Sequence, residues 1–147
     1  RLWAKDAGCL DRLEIQGNLS TRELVTAYQR ATVVAVPSHY EGFGLPAVEA
    51  MACGAPVVIT SGGALPEIAG EVAASIVPSG KPEVLANALR DLIEGDSAKR
   101  VAFGHAGTAF AKNRFSWTAI AEKTVNIYRQ VIEERRGFPV TTKTSAN

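Results

Sequence analysis

The stretch TVVAVPSHYEGFGLPAVEAMACGAPVVIT, residues 32–60, holds two apolar runs on either side of a glycine-rich corner and a helical pattern. Its first run, TVVAVPS (Thr32–Ser38), is continuous and β-branched, which is typical of a strand covered on both faces. Its last run, APVVIT (Ala55–Thr60), has the same character. Between them the pattern predicts a loop and then a helix from Pro46 to Cys53. A buried strand, a helix and a second buried strand predict a parallel α/β unit.

The same alternation continues on both sides of this stretch. Upstream, LEIQG (Leu13–Gly17) is predicted to be a short strand, and Ser20 followed by Glu23 has the spacing of a capping box at the start of a helix. Downstream, ASIVPSG (Ala74–Gly80) is predicted to be another strand, and three helical segments follow. We therefore predict a Rossmann-like, doubly wound parallel sheet with flanking helices.

The composition sets limits on the class of protein. The chain has 147 residues, 46% hydrophobic and 21% charged, which is typical of one globular domain. Sixteen basic and 15 acidic residues give a net charge of +1, and no Lys/Arg stripe favours a nucleic-acid partner. The two cysteines, Cys9 and Cys53, form neither a disulfide framework nor a metal-ligand pattern. Together with the lack of a long apolar run, this predicts a cytoplasmic location.

The glycine corner has the features of an anion site. Gly42 and Gly44 carry no side chain, so the backbone there can turn tightly and approach a ligand closely. Pro46 suits the first turn of a helix, where its missing N–H costs nothing. The free amides of Phe43, Gly44 and Leu45, together with the positive end of the helix dipole, suit a diphosphate. Such a site does not itself require a metal.

Two carboxylates, Glu41 and Glu49, lie before and after this corner. A carboxylate at Glu41 could accept hydrogen bonds from a sugar ring, and one at Glu49, about one turn into the helix, could take both hydroxyls of a ribose. Alternatively, Glu49 is a first-turn acid favoured by the helix dipole and Glu41 is an ordinary loop residue. The spacing of the two acids leaves both interpretations open.

A longer pattern around these acids resembles a known family. PSHYEGFGLPAVEAMACGAPVV, residues 37–58, resembles the E-x7-E signature of retaining glycosyltransferases of family 4, also called glycosyl transferases group 1, which have the GT-B fold. The resemblance also includes GNLSTRELVTAYQR, TSGGALPEIAG and the FSW of the last helix, in that order along the chain. It covers most of the sequence, to about Ile132.

The resemblance implies roles for the matching residues. Glu41 matches the first acid, a catalytic position that binds donor-sugar hydroxyls beside the anomeric carbon. The corner Gly42–Leu45 matches a substrate-binding segment whose amides, at Phe43, Gly44 and Leu45, meet the sugar and the diphosphate. Glu49 matches the second acid, on the ribose hydroxyls.

The resemblance also implies a reaction. A glycosyltransferase of hexosyltransferase type would move a sugar from a UDP-, GDP- or ADP-sugar to a hydroxyl of a sugar or lipid-linked acceptor, with retention, in carbohydrate biosynthesis. No cofactor and no metal are expected. Two alternatives remain: a non-catalytic binding module derived from this fold, and a nucleotide-sugar epimerase of GT-B architecture.

Enzymes of this kind have two Rossmann-like domains, so residues 1–136 are predicted to be part of the C-terminal, nucleotide-sugar-binding domain, followed by a disordered tail over residues 137–147. The chain is expected to start within the helix after the second strand of that domain. The N-terminal domain and an Arg–Lys pair that grips the diphosphate would be missing. We expect such a fragment to be inactive alone, and the full-length protein to be cytoplasmic, with peripheral contact to the inner face of a membrane as an option.

This arrangement has a consequence for the sheet. In a 3-2-1-4-5-6 strand order, a chain without strands 1 and 2 would leave the strand at Leu13–Gly17 without its partner and the edge at Thr32–Pro37 exposed. We therefore expect the isolated chain to pair with a second copy as a homodimer, to rearrange, or to depend on the missing domain.

Overall fold

The computed structural model of the chain describes residues 2–136, so the predicted disordered tail over residues 137–147 lies outside the described residues. The described elements alternate between helices and strands. The helices are α1 (Leu2–Asp6), α2 (Thr21–Arg30), α3 (Leu45–Ala52), α4 (Leu65–Ala73), α5 (Pro82–Glu94), α6 (Ser97–Phe115) and α7 (Trp117–Arg136), and the strands are β1 (Val34–Val36), β2 (Val57–Thr60) and β3 (Ser75–Val77). A single 3-10 turn covers Leu10–Arg12.

The three strands form a parallel sheet in the order β1-β2-β3, which confirms the predicted α/β class. The central strand β2 is buried at all four residues, as its apolar run predicts. At β1 the prediction of burial on both faces is wrong, since Val36 is buried but Ala35 is exposed. The reason is position: β1 is the edge of the sheet among the described residues, and no described strand pairs with its outer side.

The predicted strand at Leu13–Gly17 is also wrong, because this segment is irregular. A strand is defined by hydrogen bonds to a neighbour, and an apolar, β-branched sequence cannot supply that neighbour. Its apolar side chains are largely uncovered, with Leu13 45% and Ile15 59% exposed. The expectation that the edge at Thr32–Pro37 lies open is confirmed by the place of β1 in the sheet.

The main core cluster lies between β2 and the helices on one side of the sheet. Its largest fully buried side chains are Met51 of α3, Leu65 of α4, and Val57 and Ile59 of β2. Val58, also fully buried, faces the other side of the sheet, because successive side chains of a strand alternate. Helix α6 packs across α3 and α4 and contributes Ala111 to the same cluster. Because α3 is held by β2, α4 and α6, its N-terminus has a fixed position at the carboxyl end of β1.

Two features of the flanking helices bear on the site. The predicted capping box is confirmed: the amide of Ser20 donates to Glu23 Oε2 at 2.8 Å and the amide of Glu23 donates to Ser20 Oγ at 3.4 Å. In contrast, large apolar side chains along α7 are uncovered, with Trp117 87% exposed and Ile132 52% exposed. Among the described helices, none is long and apolar enough to cross a membrane.

Candidate functional site

The glycine corner is built around Gly44, the residue immediately before α3. Its φ of +87° lies in the left-handed region that favours glycine. A Cβ at this position would lie 2.7 Å from Leu65 Cδ2 and 2.9 Å from Ile68 Cδ1, so α4 also leaves no room for a side chain. Both constraints fix the turn that leads into α3, and Pro46 occupies the first turn of the helix, as predicted.

The corner leaves backbone donors available for a ligand. The amides of Ala47 and Val48 donate to the carbonyl of Gly44, at 3.0 and 3.4 Å, and so begin the helical ladder. Among the residues that the structure describes, the amides of Phe43, Gly44 and Leu45 have no hydrogen-bond acceptor. Since α3 has eight residues, the positive end of its dipole adds to these donors. This arrangement can bind an anion.

Glu41 is held from the end of β1. The hydroxyl of Ser38 donates to Glu41 Oε1 at 2.8 Å. The carbonyl of Ser38 in turn accepts a hydrogen bond from the hydroxyl of Thr60, the last residue of β2. Ser38 therefore joins the loop after β1 to strand β2 through its carbonyl, and it orients the carboxylate of Glu41 through its hydroxyl.

The turn after β2 supports the backbone of the same loop. The amide of Ala64 donates to the carbonyl of Glu41 at 2.9 Å. A Cβ at Gly63, where φ is +62°, would collide with the carbonyl of Glu41, and a Cβ at Gly62 would lie 2.5 Å from the carbonyl oxygen of His39. The two glycines thus allow the turn to lie directly against the loop that carries Glu41.

Glu49 lies on the exposed surface of α3, one turn after the corner, and has a partner that the sequence did not reveal. The hydroxyl of Tyr28 on α2 donates to Glu49 Oε2 at 3.4 Å. Burial raises the pKa of the Tyr28 hydroxyl above 10.0, and the negative charge of Glu49 raises it further. Burial, and then Glu49, also raise the pKa of the Cys53 thiol above 9.0. The place of Tyr28 in the sequence gives no sign of this contact, because the two residues lie on different helices.

Aromatic contacts anchor the corner from another side. The ring of Phe43 meets the ring of Phe115 edge to face, with centroids 5.9 Å apart, and Phe115 meets Phe110 in the same way at 6.1 Å. Phe115 also packs against the hydrophobic core, whereas Trp117, two residues later, is 87% exposed.

Two concave surfaces lie near these elements. A hollow of about 300 Å³ lies at the carboxyl ends of all three strands and is lined by Pro37, His39, Thr60, Pro78 and Lys81, among others. A wider hollow of about 680 Å³ lies between α2 and the segment before it, and none of the predicted site residues lines it. The first hollow is continuous in sequence with the Glu41 loop and lies at the edge where parallel sheets bind ligands.

The structure thus places all the predicted site residues along one short path, from the loop after β1 into the first turns of α3. Glu41, Gly42, Phe43, Gly44, Leu45 and Glu49 follow this path in order. Their roles toward a ligand stay predictions. Within residues 2–136, no group of three His, Cys, Asp or Glu side chains is placed to hold a metal ion, and metal independence also stays a prediction.

A family model and individual proteins of known function both match the sequence of this chain. The family model described as glycosyl transferases group 1 matches residues 1–110. An MMP alpha-(1->4)-mannosyltransferase of Mycolicibacterium hassiacum is 38% identical over 86% of this chain and 31% of its own length. A D-inositol 3-phosphate glycosyltransferase of Kineococcus radiotolerans is 42% identical over 77% of this chain and 28% of its own length. The chain therefore spans about three tenths of these curated relatives.

Solved structures give the same picture for the fold. The sucrose-phosphate synthase of Thermosynechococcus elongatus superposes with a TM-score of 0.79 and 34% identity, over 90% of this chain and 33% of that protein. The Anabaena protein HepE, solved in complex with UDP-glucose, superposes with a TM-score of 0.78 and 26% identity, over 88% of this chain and 35% of that protein. The described fold is therefore similar to that of GT-B glycosyltransferases.

Proposed function

Because this chain belongs to the glycosyl transferases group 1 family, we propose that it supplies the donor-binding part of an enzyme that transfers a glycosyl group from a nucleotide sugar to an acceptor hydroxyl. The anomeric configuration is retained in this reaction. The donor is a UDP-, GDP- or ADP-sugar, and the acceptor is a sugar or a lipid-linked acceptor. The relatives named for mannosyl transfer and for glycosyl transfer to inositol phosphate support the reaction class.

A single observation carries this proposal: three free amides at the start of α3 lie between two separately held carboxylates. A nucleotide sugar has the matching order of groups, with a sugar at one end, a diphosphate in the middle and a ribose at the other end. The diphosphate fits the amides and the helix dipole, and hydroxyls of the sugar and the ribose fit Glu41 and Glu49. If Glu41 and Glu49 were ordinary surface charges, the fold would not need to supply each carboxylate with a hydroxyl donor.

The chemistry follows from this arrangement. The bond between the anomeric carbon and the diphosphate oxygen breaks, and its electron pair leaves on the diphosphate. The amides of the corner and the positive end of the dipole stabilise that developing charge, which lowers the barrier because the donors are already in place. The new bond forms to the acceptor oxygen, and the proton of the acceptor hydroxyl leaves with the nucleoside diphosphate. Glu41 binds the sugar hydroxyls beside the reacting carbon.

The test is calorimetric titration of the chain with UDP-, GDP- and ADP-glucose, in the presence of a metal chelator. We expect one of the three to bind, and Glu49→Ala to weaken it by about 10- to 100-fold, since hydrogen bonds to a charged group contribute about 1.5–3 kcal/mol. Glu94→Ala, at the distant end of α5, is the matched control and should bind like the wild-type chain. If no nucleotide sugar binds the wild-type chain, or if Glu49→Ala binds as tightly as it does, the site is wrongly assigned.

A further inference from the structure

Tyr28 on α2 links this helix to α3 through its side chain. Its ring is half-buried and packs against the hydrophobic core, while its hydroxyl reaches Glu49 Oε2 on α3 at 3.4 Å. The capping box of Ser20 and Glu23 fixes the start of α2, one face of which carries Tyr28. The position of the hydroxyl is therefore set by the fold and not by the local conformation of an exposed side chain.

Glu49 needs such a partner if it is to bind a ligand well. A glutamate on an exposed helix surface samples several rotamers, and ordering it costs up to about 1.5–2 kcal/mol. A hydrogen bond from Tyr28 to Oε2 restrains the carboxylate before any ligand arrives and leaves Oε1 free. A restrained acceptor binds two adjacent hydroxyls more tightly, because less entropy is lost on binding.

We propose that Tyr28 is a positioning residue that holds the Glu49 carboxylate for the ribose hydroxyls of the donor. This inference rests on the proposed function and deepens it. In this role the phenol hydroxyl of Tyr28 acts through Glu49 and has no contact of its own with the nucleotide. The effect of removing the hydroxyl therefore depends on the ribose and on Glu49.

The charge state of Tyr28 supports this role. Burial and then the neighbouring Glu49 raise the pKa of the phenol above 10.0. The hydroxyl therefore keeps its proton throughout the neutral range and can donate it to the Glu49 side chain. The direction of the bond is thus fixed under the conditions in which a nucleotide sugar would bind.

The experiment compares Tyr28→Phe with the wild-type chain, because phenylalanine keeps the packed ring and removes only the hydroxyl. The ligands are the nucleoside diphosphate that the wild-type chain binds, chosen from UDP, GDP and ADP, and its 2′,3′-dideoxy analogue, which lacks both ribose hydroxyls. We expect Tyr28→Phe to weaken the ribose ligand by about 3- to 10-fold, from a typical hydrogen-bond contribution of 0.5–1.5 kcal/mol, and to leave the dideoxy ligand unchanged.

Two further variants make the comparison sharper. In a Glu49→Ala background, which has no side-chain acceptor, Tyr28→Phe should have little further effect, since residues that act as a pair are not additive. Tyr128→Phe removes the same hydroxyl from the exposed face of α7 and is the matched control, with no expected change for either ligand. Equal losses with both ligands, no loss with either, or full additivity with Glu49→Ala would each overturn the inference.

A measurement without ligand tests the contact itself. Titration of the Tyr28 ring, followed by NMR of tyrosine-labelled protein, should give a lower phenol pKa in Glu49→Gln than in the wild-type chain, because one cause of the raised value is removed. An unchanged pKa would show that the two side chains do not interact, and would overturn the inference. Binding by the wild-type chain without these Tyr28 effects overturns this inference alone, whereas no nucleoside diphosphate binding overturns it together with the proposed function.

Discussion

The two acids of the site, Glu41 and Glu49, differ in how far along the chain their hydrogen-bond donors lie. Glu41 receives a hydrogen bond from Ser38, three residues earlier in the same loop, whereas Glu49 receives one from Tyr28 on another helix. Glu41 is half-buried and Glu49 is exposed. The backbone of the loop that carries Glu41 is held by hydrogen bonds from Thr60 of β2 and from Ala64, just before α4. Helix α3 holds the backbone of Glu49, but the side chain of Glu49 depends on the hydrogen bond from Tyr28.

Ser38→Ala tests the local partner of Glu41. The backbone carbonyl of Ser38 still accepts from Thr60 in this variant, so we expect the loop to keep its shape and the free energy of unfolding to change little. The carboxylate of Glu41 loses its donor, and we expect affinity for the intact nucleotide sugar to fall by about 3- to 10-fold. Affinity for the nucleoside diphosphate without sugar should stay the same, as measured by calorimetry.

Ser97→Ala, at the start of α6, is the matched control for that substitution. A similar loss of affinity for the nucleotide sugar and for the nucleoside diphosphate would contradict the assignment of Glu41 to the sugar. Such a result would mean that Ser38 supports the whole corner and not one carboxylate.

How much of the site the sequence predicted depends on the range of each contact. The residues from Glu41 to Glu49 were found because they lie within one helical turn and one loop, where spacing along the chain still reports spacing in the fold. Tyr28 was missed because an apolar stripe at helical spacing gives no sign of which hydroxyl points at an acid 21 residues away. The tight fit of Gly63 against Glu41 was missed for the same reason, since it depends on how two loops meet.

At the scale of single elements, the start of α2 gives a pH-dependent prediction. The hydroxyl and then the backbone amide of Ser20 donate to Glu23 and hold the pKa of its carboxyl below 4.5. A carboxyl with a lowered folded-state pKa stabilises the fold at pH values above its unfolded pKa, and this contribution is lost as the pH falls through the folded value. We therefore expect Glu23→Gln to be less stable than the wild-type chain at neutral pH.

The difference between the two chains should shrink as the pH falls below 4.5 and disappear once the pH is below the lowered folded-state pKa, where the wild-type carboxyl is protonated in both states. Urea unfolding followed by circular dichroism over this pH range gives the measurement. A difference in unfolding free energy that stays constant with pH would show that Glu23 contributes through its shape alone and not through its charge.

The elements themselves were predicted unevenly, and the difference has a physical cause. Helices α2 and α3 were placed within one or two residues because caps, proline and helical spacing are local signals. Strand β2 was predicted correctly because its apolar run lies between two other strands, whereas the similar run at β1 lies at an edge of the described sheet. The segment Leu13–Gly17 has two apolar residues in alternation but no described strand beside it, and β-structure exists only with a hydrogen-bonded neighbour.

At the scale of the whole molecule, the last described helix leaves much of its apolar surface uncovered. Helix α7 packs on α6, but its large apolar side chains stay exposed. They form an apolar stripe of Trp117, Ile120, Val125, Tyr128 and Ile132.

The stability of the chain should therefore depend on its small core and very little on α7. We expect the double variant Val125→Gln and Ile132→Gln to change the free energy of unfolding by less than about 0.5 kcal/mol, because Val125 is 43% exposed and Ile132 52% exposed on the surface of α7. Met51→Ala, at a fully buried position, should lower it by about 2–5 kcal/mol. Chemical unfolding of the three chains under the same conditions gives the comparison.

The same exposed stripe predicts how the 147-residue chain behaves in solution. Apolar side chains that are exposed together along one helix drive association, so we expect light scattering to give a mass above that of one chain at micromolar concentration. The open edge of β1 acts in the same direction, since its outer side has no described neighbour. The double variant on α7 should reduce the measured mass without altering the unfolding midpoint. A wild-type chain that is monomeric and unfolds in one sharp transition would contradict this prediction, because it would mean that neither the apolar stripe nor the open edge seeks a partner.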